Sequence, residues 1–311
     1  MQMTPSPLVS AVIPTRGRAE LVVRAVRTAL NQTYSNIEVV VVVDGPDTET
    51  ESALSNINDV RLRAVTLPQP SGGASARNAG VAIARGEWIA FLDDDDEWLP
   101  VKIESQMALA ASSACAEPIV SCRFTAQTGT GVFIWPSRLP DTVESISDYL
   151  LVRNGLERTE GFIATPTILA RRSLLLRVTF MSELKRHQDW DWVLRATREP
   201  EVRVLFCPEA LVVCNMQSEN STSRKSDWRF SLKWIRRMKP LISKRAYASF
   251  LTCHVAWQAA AESAWPEFFP LLIEAATHGS LRIGDLARYA GFWFTPRTCR
   301  HWVQRQFSLS R

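Results

Sequence analysis

Residues Arg85 to Pro100 read R-G-E-W-I-A-F-L-D-D-D-D-E-W-L-P. An apolar, strand-like run from Trp88 to Leu92 feeds directly into Asp93, Asp94, Asp95 and Asp96, with Glu97 as a fifth acid. Adjacent carboxylates repel one another and raise one another's pKa. A cation relieves that repulsion, and Mg2+ or Mn2+ takes carboxylate oxygens together with the phosphate oxygens of a substrate. If the segment stays extended, Asp93 and Asp95 project to one side and Asp94 and Asp96 to the other, so that one D-x-D pair meets a metal. The plainer alternative is a solvated acidic turn. The buried-type strand before the run and the apolar Trp98-Leu99-Pro100 after it weigh against that. Open α/β sheets bind ligands at loops of this kind, at the carboxyl ends of parallel strands.

Working outward, the same alternation recurs upstream. Leu8–Ile13 reads as a first buried strand, ending in the turn Pro14-Thr15-Arg16-Gly17-Arg18. Leu21, Val22, Ala25, Val26 and Ala29 have helical spacing over 19–30. Ile37–Val43 is a β-branched run of the kind buried on both faces of a parallel sheet, and it ends in Asp44-Gly45-Pro46-Asp47. A helix over 48–57, a strand over 60–66, a breaker-rich loop over 68–73 and a helix over 74–85 follow. Strand and helix in strict alternation predict an α/β fold with a mostly parallel, Rossmann-like sheet flanked by helices. G-x-G-x-x-G after the first strand and G-x-x-x-x-G-K-[ST] are both missing, which disfavours a dinucleotide-binding domain and excludes a P-loop NTPase. Downstream, helices are predicted near 100–111 and 145–153. Strands are predicted near 119–125, 131–135, 165–170, 202–206 and 210–214.

The chain has 311 residues, 46% hydrophobic and 22% charged, which suits one large domain or a domain with an appendage. A net charge of +4 is too small to argue for nucleic acid. Six cysteines without a C-x-x-C read as reduced thiols of a cytosolic protein. The first residues lack a signal-peptide pattern, and no run of 18 apolar residues predicts a spanning helix. The character changes near 220, which divides the chain into residues 1–219 and a helical, basic, Trp-rich extension, 220–311. From Arg224 to Arg245 there are nine Lys/Arg against one acid, interleaved with Trp228, Phe230, Leu232, Trp234, Ile235 and Met238. Two readings stay open for this stretch: an amphipathic helix covering the sheet, or a membrane-surface helix suited to a lipid-linked acceptor.

In a parallel sheet three strand ends meet along one edge: Thr15, Asp44 and Asp93–Asp95. Arg77 reaches the same edge from the start of its helix. This outlines a nucleotide pocket, with Asp44 accepting from a base N–H, Thr15 bonding the ring, and Arg77 stacking on it or bonding its carbonyl. The alternatives are a turn-forming role for Asp44 and a surface ion pair for Arg77.

P-T-R-G-R at 14–18, V-V-V-D-G-P-D at 41–47, G-G-A-S-A-R-N-A-G-V-A-I-A-R-G-E-W-I-A-F-L-D-D-D-D-E-W at 72–98 and H-Q-D-W-D-W-V-L-R at 187–195 together resemble glycosyltransferase family 2 over about residues 8–215. The resemblance implies a GT-A fold, an inverting mechanism, a nucleotide-diphosphate sugar donor, often UDP-linked, and a divalent metal, Mn2+ or Mg2+. By position it places Thr15, Asp44 and Arg77 on the base, Asp94 on the ribose or sugar, and Asp93 with Asp95 on the metal; Arg18 joins the donor-binding set. The sequence departs from the family's pattern at D-G-P-D, where D-D-G-S is common, and at Gln188, where many members carry a glutamate.

Asp189 is the candidate general base, because an inverting transfer needs one carboxylate to take the acceptor's proton, and the first turn of a helix favours its anion. A helix cap is its structural alternative. Asp191 has Arg195 four residues on, the spacing of an ion pair, and reads as the structural acid. His187 reads as a positioning or core residue. Arg224 and Lys225 read either as a loop over the diphosphate or as a solvated linker. The expected acceptor is a saccharide or lipid-linked saccharide, and the expected location is cytoplasmic, with peripheral contact at the inner face of the plasma membrane through 224–311. Competing activities are a sugar nucleotidylyltransferase, which wants a G-x-G-T-R-type loop, and a dehalogenase-type phosphatase, which wants D-x-D-x-[TV] after the first strand. A non-catalytic nucleotide-sugar-binding protein is a third.

Overall fold

The computed structural model describes residues 6–129, 131–154, 160–216 and 227–295. In chain order the first elements are β1 (Val9–Thr15), α1 (Ala19–Leu30), β2 (Ile37–Val43), α2 (Thr48–Ser55), β3 (Leu62–Thr66) and α3 (Gly73–Ile83). Next come β4 (Trp88–Phe91), β5 (Glu97–Trp98), α4 (Lys102–Ser112), β6 (Glu117–Thr128), β7 (Gly131–Trp135) and α5 (Ile146–Leu151). Then follow β8 (Leu169–Arg171), α6 (Arg172–Arg177), α7 (Gln188–Ala196) and β9 (Val202–Asn215). The last are α8 (Trp228–Met238), α9 (Lys244–Ser249), α10 (Ala256–Ala261), α11 (Phe268–His278) and α12 (Ile283–Phe294). Two compact units result: Met1–Gln127 with Ile163–Ser218, and Thr128–Phe162 with Glu219–Arg311. Residues 128–162 thus group with the C-terminal helices.

The first unit is built on a sheet of order β3-β2-β1-β4-β8-β6-β9-β5. Strands β3, β2, β1 and β4 are mutually parallel, as the alternation predicts. All seven residues of β1 and of β2 are buried, the condition for which a run of five valines is suited. Gly80 lets α3 sit directly on these strands: a Cβ there would lie 2.4 Å from a methyl of Val12 and 3.2 Å from one of Val42.

One charge lies inside this apolar layer. Glu38, the second residue of β2, accepts from the Ser10 hydroxyl (2.6 Å), the Arg85 N–H (2.6 Å) and Arg63 (3.4 Å). Burial alone would raise its pKa, but these donors more than offset it and hold the carboxyl below its usual range.

The second half of the sheet is mixed. β8 runs antiparallel to β4 and β6, and β5 antiparallel to β9, while β6 and β9 are parallel. The strand expected over 165–170 is a 3-10 turn, Thr165–Thr167, followed by the short β8. The two strands expected at 202–206 and 210–214 are one strand, β9, because its pairing with β6 continues through a register shift beside Cys122 and Arg123. An irregularity of that kind absorbs the extra residues near Pro208 without ending the ladder.

In the second unit α8 buries Trp228, Leu232, Trp234, Ile235 and Met238 against the helices of that unit. The apolar face of α8 is thus occupied by helices of its own unit. A buried hub anchors α12: Asp285 accepts from Arg245 and Arg288 and from the Arg282 N–H.

Candidate active site

Four acids in succession cannot all share one partner: Arg18 serves Asp94 and Asp95, and Asp93 and Asp96 have partners of their own. The segment does not stay extended as expected: Asp94 and Asp95 form a turn closed by the Asp96 N–H on the Asp93 carbonyl at 3.1 Å. The cause is that β5 must return to pair with β9 only a few residues after β4 ends. Asp94 accepts from the Thr15 hydroxyl (2.8 Å) and from Arg18 (2.8 Å). Asp95 also meets Arg18, at 3.1 Å, and Arg24 donates to its carbonyl at 2.9 Å. Asp93 accepts from Arg77 at 2.5 Å. Asp96 points the other way and accepts from the Asn215 N–H at 2.9 Å.

The electrostatics follow from this crowding. Burial, then the charges of Asp93 and Asp94, push Asp95 up to about 6. Asp94 is also raised, by burial, despite Arg18. Burial and the neighbouring acids also raise Asp96. Within this group Asp93, Asp94, Asp95 and Asp189 face two guanidiniums, those of Arg18 and Arg77.

The three strand ends do meet. The Asp44 N–H donates to the Thr15 carbonyl at 2.8 Å, and Thr15 in turn reaches Asp94. Both Asp44 carboxylate oxygens accept from the backbone of the breaker-rich loop, the Ser71 N–H at 2.6 Å and the Gly72 N–H at 2.9 Å. Pro70 lies against Gly45, whose φ of +100° and lack of a Cβ permit the approach. Asp47 is a residue the motif reading passed over. Its carboxylate caps α2 through the Thr50 N–H and also accepts from the Gly17 N–H at 2.8 Å, joining the turns after β1 and β2. The second aspartate of D-G-P-D, three residues before Thr50, was the available signal, since it has the spacing of a helix cap.

Arg77 is nine-tenths buried and links the acidic turn to α7: Nη2 donates to Asp93 and Nη1 donates to Gln188 Oε1 at 2.8 Å. It is not a surface ion pair. Gln188 fills its remaining polarity by donating to the Leu184 carbonyl at 2.6 Å. Beside Arg77 on α3, Asn78 both accepts from and donates to the backbone of Phe180, fixing the segment that leads to α7. That pairing was invisible in the sequence because the partners are 102 residues apart.

The start of α7 places Asp189. His187 precedes the helix with φ +60° and stacks on Trp190 at 5.8 Å. Burial, helped by Arg186, holds its imidazole down to about 3, so it stays neutral. Asp189 accepts from the Trp190 N–H at 2.9 Å and is not the capping residue. Its pKa is pushed up to about 6, chiefly by burial, with Arg77 opposing and Asp93 adding to the shift. The helix N-terminus therefore does not dominate, contrary to the expectation from the dipole alone. Asp191 is fully buried and paired with Arg195 at 2.7 Å, four residues on, as its spacing predicts.

Among the described residues no group of three His, Cys, Asp or Glu side chains is placed to hold a metal. Asp93 and Asp95 nonetheless offer hard oxygen donors in a site with excess negative charge. A Mg2+ or Mn2+ site typically needs only one or two carboxylates when substrate phosphates complete it. The donor set therefore fits a divalent cation. Arg224 and Lys225 lie outside the described residues.

A mostly parallel sheet with converging strand ends, an acidic turn clasped by arginines and a half-buried carboxylate beside it define a GT-A-type α/β fold. Residues 10–178 match the family model described as Glycosyl transferase family 2, and the chain belongs to that family. It is therefore a glycosyltransferase. It is 26% identical over 246 residues to the amylovoran biosynthesis glycosyltransferase AmsB of Erwinia amylovora, covering 76% of this chain and 79% of that protein. Its fold is similar to that of S. aureus TarS residues 1–349 in complex with UDP-GlcNAc (TM-score 0.57, 18% identity, 92% of this chain and 79% of that one). The mannosyltransferase PcManGT of Pyrobaculum calidifontis, in complex with GDP-Man and Mn2+, is also similar (TM-score 0.58, 19% identity, 97% and 85%). Among the described residues no helix is long and apolar enough to cross a membrane.

Proposed function

We propose that this glycosyltransferase is inverting and moves a sugar from a nucleotide-diphosphate donor, UDP-linked, to a hydroxyl of a saccharide or lipid-linked saccharide during polysaccharide or glycoconjugate synthesis. The observation that carries the proposal is the linkage Asp93–Arg77–Gln188, which ties the acidic turn to the helix turn holding Asp189. Thr15, Asp44 and Arg77 bind the base side of the donor, with Arg18 and Asp94 toward the ribose and sugar. Asp93 and Asp95 are the residues that would hold Mn2+ or Mg2+, which when bound neutralises charge on the departing diphosphate. Arg18 bridges Asp94 and Asp95 and keeps the turn closed around that position.

Asp189 takes the proton from the acceptor hydroxyl. The freed oxygen lone pair forms the new bond to the anomeric carbon, and the old carbon–oxygen bond breaks with its electron pair leaving on the nucleoside diphosphate. A carboxyl pushed up to about 6 is a stronger base than an ordinary aspartate and still mostly ionised at pH 7. Support for the donor class comes from the ligand in the TarS complex, for the metal from the ion in the PcManGT complex, and for the pathway from the amylovoran role in AmsB's name. A peripheral position at the cytoplasmic face of the membrane accords with a lipid-linked acceptor.

The test is a thermal-shift panel of UDP-, GDP- and dTDP-sugars with and without Mn2+, followed by product analysis on the donor that binds. A bound donor raises stability by RT ln(1 + [L]/Kd), so one nucleotide should stand out, more so with the ion. Equal, small shifts throughout would refute the donor assignment, and a retained anomeric configuration in the product would refute the inverting step.

A further inference from the structure

The second unit leaves a large apolar surface uncovered. On α11, Phe269 and Ile273 are 68% and 58% exposed. They lie one helical turn apart on a single face. On α12, Ile283, Leu286 and Phe294 are exposed, the first and last at 86% and 67%. Their spacing also puts them on one side of the helix, flanking the buried Tyr289 and Trp293. Aromatic contacts join the two helices. The exposed Trp265 ring lies 5.8 Å from Phe294, and Phe268 lies 5.7 Å from Phe294 and 5.0 Å from Phe269. Contiguous exposed apolar surface of this kind marks an interaction site.

Beside the patch stands a basic helix face. Arg229, Lys233 and Arg236 share the exposed side of α8. Arg236 pairs in a fork with Glu274 of α11, at 2.9 and 2.6 Å, one residue from Ile273. The basic face therefore borders the apolar one. Tryptophan and phenylalanine next to clustered Lys/Arg is the combination that suits the boundary of an anionic bilayer, with rings at the headgroup level and cations on the phosphates.

We propose that the second unit docks on the surface of an anionic lipid bilayer through the exposed faces of α11 and α12, with the basic face of α8 on the headgroups. This moves the membrane contact away from the apolar face of α8, which is buried within the unit. The proposal deepens the peripheral-membrane part of the functional reading and rests on that part alone.

The experiment is co-sedimentation of the full chain with vesicles of phosphatidylcholine, with and without phosphatidylglycerol, in the absence of donor and acceptor. The native chain should sediment with the anionic vesicles and much less with the neutral ones. The triple variant Phe269→Ser, Ile273→Ser, Phe294→Ser should bind the anionic vesicles at least tenfold more weakly. Lys233→Gln, which touches only the exposed side of α8, should weaken binding about fivefold, the effect of one cation near a charged surface, and serves as the second probe should the triple variant unfold. A native chain that stays in the supernatant with both vesicles overturns the proposal. So does a folded triple variant that sediments as well as the native chain, or light scattering that shows a native dimer converted by the triple variant to a monomer, which would assign the face to a second copy. Because no sugar chemistry enters the assay, its failure would leave the donor panel and the transferase reading intact.

Discussion

Asp189→Asn removes the charge proposed to accept the acceptor's proton while keeping the size of the side chain and an oxygen for the Trp190 N–H, which donates to the carboxylate at 2.9 Å. A positioned base contributes about 10²–10⁴-fold, so kcat should fall by that factor while donor affinity holds. The pH dependence gives an independent magnitude. Burial pushes the carboxyl up to about 6 from an ordinary 3.8. At that pKa the ionised fraction falls from about 90% at pH 7 to about 10% at pH 5, so kcat should drop about tenfold over that span, whereas an ordinary carboxylate would lose less than about 10%. Stability should move the opposite way. A folded pKa above the unfolded one means that the native state binds the extra proton between about 4 and 6. Stability from this group is therefore present at low pH and lost as pH rises through about 6. At pH 7 the ionised group is a cost on the order of 3 kcal/mol, and Asn should leave the melting temperature unchanged or raised. The assay is nucleoside-diphosphate release at saturating donor, which reports the bound complex and separates Asp189 from Asp95, since the role proposed for Asp95 is in holding donor and metal. An Asn variant with more than a tenth of native turnover, or with equal losses in donor affinity and kcat, would refute the reasoning, as would a kcat profile flat between pH 5 and 7.

Asp191→Asn, two residues away, should do the reverse: breaking the buried pair with Arg195 should cost about 2 kcal/mol in a denaturant melt while kcat of the folded protein stays near native. Glu38→Leu should destabilise by about 2 kcal/mol, because the Arg85 N–H and Ser10 hydroxyl lose their buried acceptor. Since the Glu38 carboxyl is held below its usual range, its contribution is present above the unfolded pKa and lost as pH falls, so acid melts of the variant should be flatter than native. Lys102 is fully buried, its ammonium 4.0 Å from the Trp98 ring centre, and burial pushes it down to about 7. Its burial cost is full below about 7 and is relieved as pH rises toward its unfolded value. Lys102→Met should therefore raise stability at pH 7 and abolish a rise in stability between about pH 7 and 10, read from melting temperatures across that range.

Much of the first unit was legible because its signals are local. Leu8–Ile13 and Ile37–Val43 read as buried strands and Ala19–Leu30 as a helix from spacing alone, and the parallel alternation places Thr15, Asp44 and Asp93 on one edge without any long-range information. The Asp191–Arg195 pair was legible for the same reason, being one helical turn apart. The turn at Asp93–Asp96 was not, since β5 curls it back only to reach β9, more than a hundred residues on. Nor was the contact of Arg77 with Gln188, or the clamp of Asn78 on Phe180, because both reach from α3 to a segment more than a hundred residues away.

The sequence by itself determined the elements, their order and the acidic edge at which donor chemistry is proposed, because hydrophobic period and turn residues act over a few positions. Only the tertiary structure decided which carboxylate faces which arginine, that burial raises Asp189 instead of the helix end lowering it, and which face of the basic C-terminal helices is left uncovered. Those depend on what each side chain is packed against, and desolvation and pairing are properties of neighbours that the chain brings together only when folded.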